Sequence, residues 1–182
     1  YSPLDQINTS NVSDLNLAWS WAMEPGANET SPIVVNGIMF LANPGDVVQA
    51  LDAASGDLIW EYRRSLPEGV GAGIRGAMRG LAVYDDKVIL NTSDAYIVAL
   101  DAGSGAVVWE TEVADYNQVY RYTSPAIVAD GKVFSGITGC GHYYEDSCFI
   151  TAHDVESGEE LWRTHTIARP GEEGGDTWGE LP

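Results

Sequence analysis

The chain has 182 residues, 45 % of them apolar, and sets 27 Asp and Glu against 9 Lys and Arg for a net charge of −18. Such a field repels nucleic acid and anionic lipid, and no apolar run approaches the roughly 20 residues of a membrane-spanning helix. The apolar content suffices to bury a core, so a folded, acidic, well-solvated domain is expected.

No charged start followed by an apolar core is visible, so no signal peptide is read. The chain opens at Tyr1 without an initiator Met, and the expectation is a processed, trimmed or partial polypeptide. The opening stretch "YSPLDQINTSNVSDLNLAWSW" ends on Trp19 and Trp21. The first β signal is "SPIVVNGIMFLA", two apolar runs around Asn36-Gly37, the strongest hairpin pair available. "VVQALDA" and "DLIWEY" follow, on either side of a Ser-Gly turn. The same series then recurs. "GLAVYDDKVILNT", turning at Asp85-Asp86, precedes "YIVALDA" and "AVVWETE". "SPAIVADGKVFSG", turning at Asp130-Gly131, precedes "CFITAHD" and "ELWRTH".

The second half of each series is one eleven-residue phrase, A-x-D-x-x-S-G-x-x-x-W, from Ala50 to Trp60, Ala99 to Trp109 and Ala152 to Trp162. The phrases start at intervals of 49 and 53 residues. Gly56, Gly105 and Gly158 supply the positive φ of a tight reversal, and Asp52, Asp101 and Asp154 are expected to bond turn amides in a structural role. Two hairpins per period make four strands in about 50 residues, the signature of a β-propeller blade. Each terminal Trp is expected to lie flat between neighbouring blades, with the leading Ala leaving room for it. Trp19 fits the same role without its phrase. The expected fold is all-β: an incomplete propeller of about three to four antiparallel four-stranded blades, forming one partial domain over 1–182. Three and a half blades cannot close, so a longer chain is expected.

This phrase resembles the tryptophan-docking motif of the quinoprotein alcohol dehydrogenases, eight-bladed propellers that bind pyrroloquinoline quinone (PQQ). The opening stretch resembles the start of that family's propeller, and "ARPGEEGGDTWG" the segment after its third complete motif. The resemblance implies a set of cofactor-binding residues lying between the repeats. Glu29 in "ANETSP" stands where the family has a Glu touching PQQ, and Arg79 precedes Gly80 as the family's PQQ-contacting Arg does. A guanidinium suits that task because it offers paired donors to carbonyl and carboxylate oxygens. Thr123 in "YRYTSP" matches a hydroxyl that bonds a PQQ carboxylate. Thr138 and Gly139 match a cofactor-contacting Ser-Gly. Trp178 resembles the indole under the quinone, with Thr177 beside it. Glu29 and Arg79 also read as an ordinary ion pair at a blade entrance, and Trp178 as another docking tryptophan. Trp178, however, falls 16 residues after Trp162, away from the period and within Gly-rich sequence.

Two departures are visible. Gly73 and Ile74 occupy the positions of the adjacent cysteines found in the methanol dehydrogenase type. Gly141 stands where the family's metal-binding Glu is expected. Glu145 and Asp146, in the same loop, are the alternatives to it, since hard cations accept carboxylate oxygen in many geometries. Cys140 and Cys148 flank this loop. A bridge between them would fix it and would imply an oxidising compartment, in agreement with the periplasm where the family works. Metal binding by the pair lacks companions of tetrahedral spacing. His142 reads as a surface residue, and His153 and His165 as structural. No Walker loop, G-x-G-x-x-G opening a helix, or G-x-S-x-G elbow competes.

The resemblance implies PQQ-dependent oxidation of small alcohols to aldehydes, with calcium or a lanthanide ion as Lewis acid and a c-type cytochrome as electron acceptor. The family's catalytic Asp lies further along the chain than Pro182, so no catalytic residue is assigned here. The alternative is a non-catalytic propeller scaffold or interaction module of the periplasm, which Gly141 favours.

Overall fold

The computed structural model describes residues 3–70, 78–118, 120–138, 149–169 and 171–177. Among the described residues twelve strands form three antiparallel sheets. The first blade comprises β1 (Ile33–Val35), β2 (Ile38–Asn43), β3 (Val47–Asp52) and β4 (Leu58–Arg63). The second comprises β5 (Ala82–Tyr84), β6 (Lys87–Asn91), β7 (Tyr96–Asp101) and β8 (Val107–Glu112). The third comprises β9 (Ile127–Ala129), β10 (Lys132–Gly136), β11 (Phe149–Asp154) and β12 (Glu160–His165). In each blade the strands neighbour one another in chain order. Short 3-10 turns at Val12–Asp14 and Tyr116–Gln118 lie outside the sheets.

The expected turn residues sit at the reversals. Asn36, Asp85 and Asp130 open the first hairpins at φ of 51°, 49° and 50°. Asn and Asp tolerate this left-handed region better than other non-glycine residues. In the phrase turns, the Asp52 carboxylate accepts from the N–H groups of Ala54 (2.9 Å) and Ser55 (2.8 Å). Asp154 accepts likewise from Glu156 and Ser157, and Asp101 from Ser104. These backbone donors, that of Ser55 and that of Ser157 foremost, hold the Asp52 and Asp154 carboxyls below the usual carboxylate range. The three aspartates are structural.

The phrase tryptophans link the blades. Trp60 Nε1 donates to Ala102 O of the second blade (2.9 Å), and Trp109 Nε1 to Val155 O of the third (3.0 Å). Trp19 makes the same bond to Ala53 O of the first blade (3.1 Å). Each ring lies against the phrase glycine of the blade it meets. A Cβ added at Gly105 would stand 2.5 Å from Trp60, one at Gly158 2.5 Å from Trp109, and one at Gly56 2.6 Å from Trp19. The glycine therefore serves a positive φ and a close ring approach together. In every phrase the leading Ala pairs across the hairpin with its own Trp, and a bulge follows at once: Ala50/Leu51, Ala99/Leu100 and Ala152/His153.

The core lies between blades. Phe40, Val48, Ala50 and Trp60 pack with Val88, Leu90, Val98 and Leu100, whereas Ile89, Ile97, Ala99 and Trp109 pack with Tyr122, Val133 and Phe149. Strand alternation thus buries the middle blade on both faces. The outer face of the third blade leaves Trp162 43 % exposed, against 8 % for Trp60.

Candidate functional site

All the phrase turns lie at one end of the blades, so the segments entering β1, β5 and β9 lie at the other. These three strands are the first of their sheets, and β5 approaches both β1 and β9. Residues just ahead of them are thereby gathered although they are far apart in sequence. Glu29, Arg79 and Thr123 occupy that place in successive blades. Arg79 Nε pairs with Glu29 Oε2 at 2.8 Å, and Arg79 Nη1 donates to Thr123 O at 3.2 Å. The pair is half-exposed, open to a ligand. The structure therefore brings together three of the residues that the sequence singles out, Glu29 and Arg79 through the blade-entrance ion pair that the sequence also allows and Thr123 through its carbonyl.

The others fall differently. Thr138 lies just beyond β10 in an isolated bridge with Arg121, and its hydroxyl donates to Arg121 O at 2.6 Å. With its proton committed, Thr138 fastens the 121–123 segment and keeps only acceptor lone pairs. The Thr177 hydroxyl donates to Gly174 O within its own turn (2.6 Å), and no hydrogen bond joins it to the Arg79 cluster. Gly139 and Trp178 lie outside the described residues, as do Gly73, Ile74, Cys140, Gly141, His142, Glu145, Asp146 and Cys148. Among the described residues no group of three or more His, Cys, Asp or Glu could hold a metal ion, and no helix is long and apolar enough to cross a membrane.

Several residues that support the site carry no repeat signal. Asn91, buried at the end of β6, donates to Ser124 O (3.0 Å) and accepts from Ser135 Oγ (3.0 Å), holding the residue next to Thr123. Gln49 Oε1 accepts from both Trp21 Nε1 and Asn43 Nδ2 at 3.0 Å, while its Nε2 donates to Glu61. Asn43 in turn accepts from the Glu24 N–H, so this network fastens the segment that runs on to Glu29. A buried polar residue within an apolar strand, as Gln49 is in β3, is the signal that could have found it.

The loop end is also tied by charge. Buried Asp46, at the β2–β3 turn, accepts from Ser93 N (2.6 Å) and Ser93 Oγ (2.9 Å) in the β6–β7 turn of the next blade. Burial pushes its carboxyl up to about 6, against the lowering effect of the Ser93 bonds. Beside it, Arg64 Nε bonds both Asp94 oxygens (2.7 and 2.9 Å), with the guanidinium carbon 4.4 Å from the Tyr96 ring centre. His153 is buried, its Nδ1 3.1 Å from Gly158 O, and burial holds it below the usual histidine range, in keeping with a structural role.

The donor set at the loop end fits an anionic, oxygen-rich ligand. Of the five guanidinium N–H groups of Arg79, Nε and one of Nη1 are committed, which leaves the Nη2 edge for an acceptor.

The family model for the β-propeller domain of PQQ-dependent glucose, ethanol and alcohol dehydrogenases matches residues 1–181. A quinohemoprotein alcohol dehydrogenase of Pseudomonas putida is 39 % identical over 171 residues, 92 % of this chain and 24 % of that protein. A lanthanide-dependent methanol dehydrogenase of Methylorubrum extorquens is 35 % identical over 172 residues, 92 % of this chain and 28 % of its own. Among solved structures, the quinohemoprotein alcohol dehydrogenase of Comamonas testosteroni superposes with a TM-score of 0.81 at 34 % identity, covering 92 % of this chain and 25 % of that one. The chain spans about a quarter of the length of the relatives it matches. With the repeated blades, the interlocked tryptophans and a family match over 1–181, the chain belongs to the PQQ-dependent alcohol dehydrogenase β-propeller family.

Proposed function

We propose that these blades form part of the PQQ pocket of an alcohol dehydrogenase that converts small alcohols to aldehydes in the periplasm and passes electrons to a c-type cytochrome. The observation that carries this reading is the convergence of Glu29, Arg79 and Thr123 at the loop end of a quinoprotein-type propeller. Bound there, PQQ with calcium or a lanthanide ion supplies the electron-accepting chemistry. The chain's own part is to bind and orient. Arg79, held in place by Glu29 and Thr123 O, presents its remaining N–H groups to ligand oxygens. The family resemblance assigns Thr123, Thr138, Gly139 and Thr177 to the rest of the wall and Trp178 to its floor.

The test is a PQQ titration followed by tryptophan fluorescence, with and without calcium or a lanthanide, on the polypeptide that carries these residues. Quenching that needs metal and is lost in Arg79→Gln and Trp178→Ala supports the reading. A folded protein that shows no quenching with any metal is instead a propeller scaffold, the second reading, which Gly141 at the metal position favours.

A further inference from the structure

The Glu29–Arg79 pair is internally neutral, and an anionic ligand brought against it meets a carboxylate as well as a guanidinium. In a chain of net charge −18, a carboxylate-bearing ligand gains from a positive side chain nearby in addition to its metal ion. The described Lys and Arg side chains are almost all taken. Arg63, Arg64, Lys87, Lys132 and Arg163 each pair with a carboxylate, and Arg169 lies 2.7 Å from His165 Nε2. Arg121 is the exception: among the described residues its guanidinium has no partner.

Its position is set by the backbone. Tyr120 and Tyr122 are buried in the interblade core, so alternation turns Arg121 to the opposite side of the segment from them, and it is only partly buried. Its carbonyl is fixed by the N–H (3.0 Å) and hydroxyl (2.6 Å) of Thr138. Two residues on, the carbonyl of Thr123 accepts from Arg79. Arg121 thus stands on the same short segment as the Arg79 contact, anchored by another residue of the candidate wall.

We propose that Arg121 is an additional ligand-binding residue of this site, holding a carboxylate of PQQ with its free guanidinium; this rests on the cofactor reading above. A guanidinium offers a carboxylate two parallel N–H bonds, and removal of such a charge-assisted contact weakens binding about 10- to 100-fold. Lys at the same place keeps the charge and loses the paired geometry.

The experiment measures PQQ affinity by fluorescence quenching at low and high ionic strength for the wild type, Arg121→Gln, Arg121→Met, Arg121→Lys and Arg79→Gln, with the unfolding midpoint of each ligand-free protein as a check on folding. The expected result is at least about tenfold weaker binding in whichever neutral Arg121 variant folds, partial recovery in Arg121→Lys, and a shallower salt dependence in the neutral variants. A structural role alone would not move the salt dependence. Wild-type affinity and salt dependence in a folded neutral variant, with binding lost in Arg79→Gln, overturns the assignment of Arg121 and leaves the cofactor site standing. No PQQ binding by the wild type overturns both.

Discussion

Replacing Gly105 by Ala tests how the blades are joined. Gly105 sits at φ 73°, and an added Cβ would stand 2.5 Å and 2.7 Å from two ring atoms of Trp60. Gly131, at φ 68° in the first turn of the third blade, has nothing within 4 Å of the same position. Both substitutions carry the left-handed backbone cost of about 1–2 kcal/mol. Only Gly105→Ala also displaces Trp60, which is 8 % exposed and bonded to Ala102 O. Loss of that bond costs about 1 kcal/mol. Re-exposing about half of a ring that buries about 150–250 Å² adds about 2–3 kcal/mol. Gly105→Ala is therefore expected to lose about 3 kcal/mol more than Gly131→Ala. In urea unfolding followed by circular dichroism, that separates the two midpoints by about 1–3 M. Equal losses in the two variants would refute the argument that the phrase glycine is there for the neighbouring ring.

Trp60→Ala should cost about 3–5 kcal/mol and Trp162→Ala distinctly less in the same unfolding assay, because Trp162 is 43 % exposed on the open face of the third blade. Asp46 is raised from 3.8 to about 6, so folding favours its protonated form. The stability it contributes is fully present below about pH 4 and is lost, to a total of about 3 kcal/mol, as pH rises through 6. Asp46→Asn, which tolerates φ 56°, should flatten the stability profile between pH 4 and 6. The lowered carboxyls of Asp52 and Asp154 act in the opposite sense, their contribution being lost as pH falls below 3.8. Gln49→Met strands the Trp21 indole N–H and the Asn43 amide N–H and removes one partner of Glu61, which keeps Arg63, and should cost about 2–4 kcal/mol and speed hydrogen exchange at the indole.

The repeat made the blades legible because its determinants are local. Asn36-Gly37, Asp130-Gly131 and the Ser-Gly turns carry their own backbone preference, and the short apolar runs between them read as strands, the inner ones buried on both faces. Trp19 was recognisable as a docking residue without its phrase because "LNLAWSW" reads like the end of a blade. Beyond the docking of the tryptophans, contact between blades could not be read. The phrase glycine was legible as a turn residue, but the ring against it comes from about 40 residues upstream. Asp46–Ser93 and Arg64–Asp94 join single residues in different loops, with no period to expose them. The site divides along the same line. Glu29, Arg79 and Thr123 are recognisable by family resemblance, whereas Arg121, Asn91 and Gln49 owe their places to folded geometry. Trp178 and Gly139, outside the described residues, stay proposals.

The interlocking tryptophans impose an order on synthesis. Each blade is a run of consecutive strands, so its own pairing can begin as soon as those strands leave the ribosome. The Trp that ends it has nowhere to go until its acceptor carbonyl arrives, 42 residues later for Trp60 and 46 for Trp109. At about 5–20 residues per second that is a wait of about 2–9 s with a large apolar ring in water. Every newly made blade is thus completed by its successor, and the growing end of the protein is always its stickiest part.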